Sequence, residues 1–350
     1  MNKINYKNIH NRFKLNGLHY DKNQLKQIAY SFIKEGDAYQ KNIGDFLLDW
    51  FDENQFIDLQ TSGTTGTPKI IRLQKQAMVN SALSTGDFLG LEPSNKALHC
   101  LPTNFIAGKM MFVRAFILGL EIDFIEPNSH PLKNNNTKYD FVAMVPLQVQ
   151  NSLDKLQNIK NLIVGGAKIN QNLEKSLLNL KNISIYETYG MTETVTHIAA
   201  RRVGEESFCV LPNINISVDD RNCLVIDAPN VSKQKIITND IVEIIDNNKF
   251  NLLGRFDNVI NSGGVKLFPE LIEAKLEHKI NNRFFVIGLP DNDLGEKLVL
   301  VVESEETKFD NNIFDELIKF EKPKEIVFIR KFKETETGKI LRKESIESIF

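Results

Sequence analysis

Apolar and polar positions along the chain fall into two kinds of run. The first is short and continuous: Phe141-Val142-Ala143-Met144-Val145, stopped by Pro146, and Asn161-Leu162-Ile163-Val164, stopped by Gly165-Gly166. Apolar runs of this length could belong to buried helix, but flanking Gly and Pro favour strands covered on both faces. Ile57 to Gln60, Ala97 to Leu101 (ended by Pro102), Glu121 to Ile125 (before Pro127) and Ile183 to Ile185 are further strand candidates. The second kind is helical. Residues 1–56 read as helix of mixed polarity with Trp50 and Phe51 in the core, Lys75 to Leu89 as a helix, and Gly108 to Leu120 as a buried one. Strands alternating with helices predict an α/β fold whose large N-terminal part holds mainly parallel, helix-covered sheets. After about residue 205 the texture shifts to short strands, Ile214 to Val218, Cys223 to Ile226, Ile241 to Ile245 and Phe250 to Leu253, a small β-rich section. From Asp257 a compact α+β tail follows, with strands near Phe284 to Gly288 and Leu298 to Val302. No internal repeat is visible, and Asn134-Asn135-Asn136 reads as a loop.

Composition narrows the class. The 350 residues are 42% apolar and 25% charged, enough for a large core and a second, smaller domain. Lys and Arg number 43 against 45 Asp and Glu, so nothing argues for nucleic acid as a partner. The start lacks the apolar stretch of a signal peptide, and the longest apolar run, around Met110 to Leu120, contains Arg114 and is too short to span a bilayer. Cys100, Cys209 and Cys223 are far apart, which fits reduced thiols and a cytoplasmic location, and the six histidines show no metal spacing.

Four segments carry chemistry. Thr61-Ser62-Gly63-Thr64-Thr65-Gly66-Thr67-Pro68-Lys69 offers backbone N–H groups, hydroxyls and one cation, the donors a polyphosphate needs. It is not the Gly-x-x-x-x-Gly-Lys-Ser/Thr loop, because Lys69 is displaced and Ile70 stands where that motif has its metal-binding hydroxyl. No Gly-x-Gly-x-x-Gly supports a dinucleotide fold. The alternative reading is a polar surface turn. Tyr186-Glu187-Thr188-Tyr189-Gly190-Met191-Thr192-Glu193-Thr194 combines an aromatic that can stack on a purine with a hydroxyl and a hard-oxygen Mg²⁺ ligand; the alternative is an ordinary strand-to-loop turn. In the third, Thr238-Asn239-Asp240 precedes Gly254-Arg255-Phe256-Asp257 and Ser262-Gly263-Gly264-Val265-Lys266. An Asp there can accept from both ribose hydroxyls, although a hairpin and a turn would explain each piece alone. The fourth, Thr337-Gly338-Lys339-Ile340, would alone be a solvated basic loop.

In this order and spacing the four segments resemble the acyl-adenylate-forming superfamily of acyl-CoA synthetases, adenylation domains and luciferases, over residues from about 58 to 345. Within it the chain looks most like the short o-succinylbenzoate–CoA ligases of menaquinone biosynthesis. The pointers are an abbreviated leader before Thr61, the run Ala107-Gly108-Lys109-Met110-Met111 with Arg114, and Thr194-Val195-Thr196-His197-Ile198-Ala199. Two departures stand out. Phe105 occupies the place where many relatives carry His, so any gating or polar role of that His lacks a carrier here. The Pro that often precedes the C-terminal Gly-Lys is absent.

The resemblance implies an AMP-binding domain over residues 1–256 and a mobile C-terminal domain over 257–350, hinged at Asp257. It implies ATP and Mg²⁺, with CoA as co-substrate and a small carboxylate as the acid. Thr61, Ser62, Gly63, Thr64, Thr65, Gly66 and Lys69 would cradle the β- and γ-phosphates. Thr192 would bind the α-phosphate, Glu193 would hold Mg²⁺, and Tyr189 beside Gly190 would stack on adenine. Gly165, Gly166 and Ala167 would line the adenine and acyl pocket, Asp240 and Arg255 would hold the ribose, and Lys339 would stabilise the adenylation transition state. Gly263, Gly264 and Lys266 would serve the CoA half-reaction. A second substrate carboxylate would need a donor, for which His197, Lys109 and Arg114 are candidates, His197 first. Two alternatives stay open: another aryl- or acyl-CoA ligase or carrier-loading enzyme, and a non-catalytic nucleotide-binding relative. Oligomeric state is not legible.

Overall fold

The computed structural model describes residues 4–60, 70–305, 311–334, 340–347 and 349; the predicted phosphate loop, Thr61 to Lys69, and Lys339 lie outside them. The first departure from the sequence reading comes at once. The described residues before Asp21 are not helical but carry the short strand β1 (Lys14–Leu15), which a turn at Asn16 (φ 47°) and Gly17 (φ 80°) closes. Asn and Gly tolerate that left-handed backbone, which breaks any helix started upstream. Helix α1 (Lys22–Glu35) begins only where the Asp21 side chain accepts from Asn23 and Gln24 N–H groups, and α2 (Ala38–Phe51) follows.

Strands β2 (Phe56–Gln60) and β3 (Ile70–Gln74) form an antiparallel ladder whose register pairs Gln60 with Ile70, the two residues that flank the predicted phosphate loop. The chain continues through α3 (Lys75–Leu89), β4 (Lys96–His99), α4 (Ile106–Leu118), β5 (Glu121–Phe124) and β6 (Tyr139–Met144). Then come α5 (Pro146–Gln150), β7 (Ile159–Val164), α6 (Gln171–Leu178), β8 (Ser184–Gly190) and β9 (His197–Arg202). Short strands follow: β10 (Phe208–Val210), β11 (Asn215–Val218), β12 (Cys223–Asp227), β13 (Ile236–Asp246) and β14 (Lys249–Arg255). The last stretch holds β15 (Ile260–Ser262), β16 (Val265–Leu267), α7 (Pro269–Leu276), β17 (Phe284–Asp291), β18 (Gly295–Glu303), β19 (Glu325–Ile329) and α8 (Arg342–Ile346).

Among the described residues twelve strands make one sheet in the order β1-β5-β4-β6-β7-β8-β9-β10-β14-β13-β12-β11. It is parallel from β1 to β8 and antiparallel from β8 onward. The small β-rich section read from the sequence is the antiparallel half of this same sheet. The apolar runs of the parallel half are buried on both faces. Phe141, Ala143 and Ile163 join a core with Trp50, Phe112 and Phe116 from α2 and α4, whereas Val142, Met144, Leu162 and Val164 face Leu173 and Leu177 of α6. A second sheet, β16-β15-β18-β17 with β19 on β18, is built from residues 260–329 and packs its own cores around Ile272, Leu276, Phe285 and Val299.

Candidate functional site

The site lies where parallel strands β7 and β8 end, the edge at which open α/β sheets take their ligands. Two cavities adjoin there and share Gly166, Thr188 and Gly190. The glycines are required by space. A Cβ on Gly165 would stand 2.6 Å from Thr188 Oγ1, and one on Gly190 2.4 Å from the Thr196 carbonyl oxygen and His197 Cα. Gly166 adopts φ 84°, a conformation side-chain-bearing residues avoid.

The larger cavity, about 680 Å³, brings together Gly166, Ala167, Tyr189, Asp240 and Arg255. The Tyr189 hydroxyl donates to Asp240 Oδ2 at 2.6 Å, and Arg255 donates to Oδ1 at 3.1 Å. Burial, with the Asp240 carboxylate beside it, pushes the phenol well above its ordinary range. The Tyr189 ring packs on Phe250 and Phe208 at centroid distances of 5.3 and 5.9 Å. Its place is therefore fixed by this core as well as by the cavity it lines.

Sequence reasoning gave no role to Glu187 or Arg201, which also line this cavity. They form an ion pair at 2.6 Å; Glu187 accepts the Ile169 N–H, and Arg201 lies over the Phe208 ring at 5.4 Å. The available signal was an acidic residue at a core-facing strand position, between Ile185 and Tyr189. Arg221 also escaped notice. It donates to Asn239 Oδ1 and the Thr238 carbonyl and lies 5.0 Å from the Phe256 ring centroid. Asn239 in turn donates to Asp257 Oδ2 at 3.2 Å, so the predicted hinge residue sits in a short 3-10 turn (Phe256–Asn258) held by side chains from the large sheet.

The smaller cavity, about 320 Å³, is mostly apolar and takes in Ala107, Ala143, Met144 and Ile163 with Arg114, Thr192, Thr196 and His197. Arg114 is 2% exposed, and burial pulls its guanidinium down to about 10, still cationic at neutral pH. Nη2 donates to Thr196 Oγ1 at 3.3 Å and Nη1 faces Met111 Sδ at 3.9 Å; Nε is buried without a partner, and no carboxylate among the described residues pairs with it. A buried charge so poorly compensated is costly to the fold. His197 is buried too. Burial and the nearby Arg114 push its imidazole down to about 3, so it is neutral. Lys109, the third candidate on this segment, turns the other way: Nζ lies 5.1 Å from the Phe46 ring centroid, toward Asp49, and the residue lines neither cavity.

Between Thr192 and His197 the backbone is strained. Val195 has φ 67° and ψ −57°, and the Thr196 N–H donates to the Thr194 carbonyl at 2.8 Å, closing a γ-turn of the rare positive-φ kind. A β-branched residue held there costs about 1–3 kcal/mol. Glu193 is exposed on the preceding 3-10 turn (Thr192–Thr194). Gly263 (φ 56°) and Gly264 (φ 81°) form the two-residue turn of the β15–β16 hairpin, with Lys266 exposed beside it; none of the three lines either cavity. Among the described residues no group of three His, Cys, Asp or Glu could hold a metal. No helix among them is long and apolar enough to cross a membrane.

A family model for AMP-binding enzymes matches residues 54–232. An acyl-CoA synthetase (AMP-forming)/AMP-acid ligase II-like protein from Dyadobacter fermentans is 35% identical with a TM-score of 0.62, over 93% of this chain and 98% of that one. A 2-succinylbenzoate–CoA ligase of Haemophilus influenzae is 26% identical over 297 residues, 75% of this chain and 64% of that protein, so the chain spans less than two thirds of that relative's length. The O-succinylbenzoate coenzyme A synthetase of Bacillus subtilis, solved in complex with ATP and magnesium ion, shares the fold with a TM-score of 0.72 at 19% identity, over 83% of this chain and 69% of that one.

Proposed function

The chain belongs to the family of AMP-binding enzymes, and from that premise we propose that it is an ATP-dependent ligase joining a carboxylic acid to the CoA thiol, with o-succinylbenzoate as the acid. The observation that carries the choice of acid is Arg114, a buried cation that has no acidic partner among the described residues, in an apolar cavity beside the predicted nucleotide cavity. An acid with an apolar ring and a second carboxylate would satisfy both the apolar walls and the charge. His197 is the weaker candidate for that contact, because it is neutral and its ring nitrogens already face Thr85 and Thr196.

In the first half-reaction the substrate carboxylate attacks the α-phosphorus of ATP and pyrophosphate leaves; in the second the CoA thiol attacks the acyl-adenylate and AMP leaves. Both develop negative charge on oxygen, so positioning and fixed dipoles dominate. Asp240 has both oxygens engaged by protein donors yet keeps spare lone pairs for ribose hydroxyls, and Tyr189 and Arg255 fix its orientation. Thr192, on the wall of the smaller cavity, would meet the α-phosphate. Mg²⁺ would neutralise phosphate charge, held by the exposed Glu193 and the phosphates, since this ion takes few protein carboxylates and keeps several other oxygens. Thr61 to Lys69 and Lys339 are assigned to the pyrophosphate-leaving step. Residues 257–350 would then turn about Asp257 to bring Gly263, Gly264 and Lys266 to the site for the CoA step. A cytoplasmic location suits these substrates.

The test is to incubate the protein with ATP, Mg²⁺, CoA and o-succinylbenzoate and look for the thioester mass, with pyrophosphate exchange across a panel of acids beside it. Thioester from this acid supports the reading. Exchange with another acid in preference moves the chain to a different acyl-CoA ligase, and no exchange with any acid points to a non-catalytic relative.

A further inference from the structure

The hydroxyl of Thr196 lies between the two buried polar groups of the acid cavity. It accepts from Arg114 Nη2 at 3.3 Å and stands 3.1 Å from His197 Nδ1. Arginine can only donate, so the single hydroxyl proton is left for Nδ1. On the far side of the ring, Nε2 is 3.4 Å from Thr85 Oγ1, whose own proton goes to the Ser81 carbonyl at 3.0 Å. With the imidazole neutral, each proton has one place: Arg114 to Thr196, Thr196 to His197 Nδ1, His197 Nε2–H to Thr85, Thr85 to Ser81. Burial makes the imidazole neutral, and Thr85, whose proton is spent on Ser81, fixes Nε2 as the nitrogen that carries the ring proton.

The strained turn accounts for how Thr196 gets there. Positive φ at Val195 turns the following backbone so that the Thr196 side chain faces the cavity, and the Thr194 hydroxyl braces the turn by donating to the Thr196 carbonyl at 2.7 Å and accepting the Met191 N–H at 3.0 Å. Arg114, by contrast, reaches the cavity on a long side chain from α4. Thr196 Oγ1 is the one oxygen acceptor that the described residues give it.

We propose that Thr196 is a specificity-determining positioning residue: its hydroxyl, presented by the γ-turn at Val195 and locked by His197 and Thr85, sets the orientation in which Arg114 meets the distal anionic group of a dicarboxylic substrate. Preorganisation of this kind acts on one substrate class. An acid with a distal carboxylate gains from a guanidinium already in place, whereas a matched acid lacking it does not. The inference rests on reading this cavity as the acid pocket.

The experiment compares kcat/KM in adenylation for o-succinylbenzoate and for a matched aryl acid without the distal carboxylate, in the full chain and in its Thr196→Val and Thr196→Ser variants. The wild type is expected to favour the dicarboxylate. Thr196→Val should lower that preference about ten-fold, and Thr196→Ser should bring it back to within about three-fold. Turnover of the monocarboxylate shows that each variant is folded. A wild type indifferent to the distal carboxylate sinks the dicarboxylate reading and this proposal with it. A wild-type preference that survives Thr196→Val, or a variant that loses both acids in equal proportion, overturns the positioning role alone.

Discussion

Arg114 concentrates a conflict between stability and function in one side chain. It is buried, and the described residues give it a single oxygen acceptor and leave its Nε unpartnered. Exchanging an ill-compensated buried charge for an apolar group of similar length commonly stabilises a fold by about 1–4 kcal/mol. Arg114→Met should therefore raise the urea midpoint while removing the preference for a dicarboxylic acid; a variant less stable than the parent by more than about 1 kcal/mol would show the guanidinium to be structural. The buried histidines make a second prediction. Burial holds both His99 and His197 down to about 3, below the usual 6.5. Between those values the unfolded chain binds the extra protons, so their contribution to stability is complete above about pH 6.5 and is lost as pH falls toward 3. Urea unfolding at pH 7, 6 and 5 should show a loss of up to about 1 kcal/mol per pH unit for each ring, and a flat profile over that range would mean the rings are protonated in the folded protein. The sequence displayed Arg114, His197, Asp240 and Arg255 as residue types, but not their states. That the His197 ring is taken up by Thr85 and Thr196 depends on a helix more than a hundred positions away, and Thr196 stood out only as one member of the run Thr194 to Ala199, with no role of its own.

Elements were legible where a single face or a single punctuation mark decided them. Lys75–Leu89 is a helix as the spacing predicts, ended by Gly90 in a left-handed conformation, and the runs stopped by Pro146 and Gly165 are buried parallel strands. What failed is instructive at β8. The strand was expected to end at Ile185, yet it runs to Gly190, because Glu187 points inward to Arg201 and hides the alternation Ile185, Glu187, Tyr189 behind a charge. β3 and β9 were missed for a related reason, since hydroxyls, amides and charges border or interrupt both. The close approach of β8 and β9 makes Gly190 the tightest point of the site. Its Cβ would press on the backbone of the strained turn, 2.4 Å from the Thr196 carbonyl oxygen, and no side chain can rotate to relieve that contact. Gly190→Ala is expected to cost about 1–3 kcal/mol and to suppress pyrophosphate exchange, as thermal melting and an exchange assay would report. Exchange at the parental rate in a fully folded variant would mean that the β8–β9 edge takes no part in adenylation.

At the scale of the whole molecule, a period-two pattern says that a strand exists but not which sheet it joins. The strands from Phe208 to Arg255 continue the sheet that holds the parallel half, and that continuity places Asp240 and Arg255 of the antiparallel half opposite Gly166 and Tyr189. The cavity between them is walled by both halves of the sheet and closed by Glu270 and Leu271 of α7. The C-terminal sheet meets this body through few polar contacts: Gln171 Nε2 donates to the Ala274 carbonyl at 2.6 Å, and its N–H to Glu277 at 3.2 Å. The connecting turn at Phe256–Asn258 is held by the half-buried Asn239 and the exposed Arg255 on the exposed Asp257, solvent-facing contacts whose pairing is weak. Such an arrangement suits reorientation about Asp257. Proline fits the φ of a 3-10 turn and restricts the backbone on both sides of it, so Asp257→Pro resists the rotation that a second orientation needs. If the two half-reactions use different orientations and this one serves adenylation, Asp257→Pro should keep pyrophosphate exchange within about three-fold of the parent and slow CoA-dependent thioester formation by at least about ten-fold. Loss of exchange with thioester formation from preformed acyl-adenylate intact would assign the orientation seen here to the CoA step. Survival of both activities would remove Asp257 as the hinge.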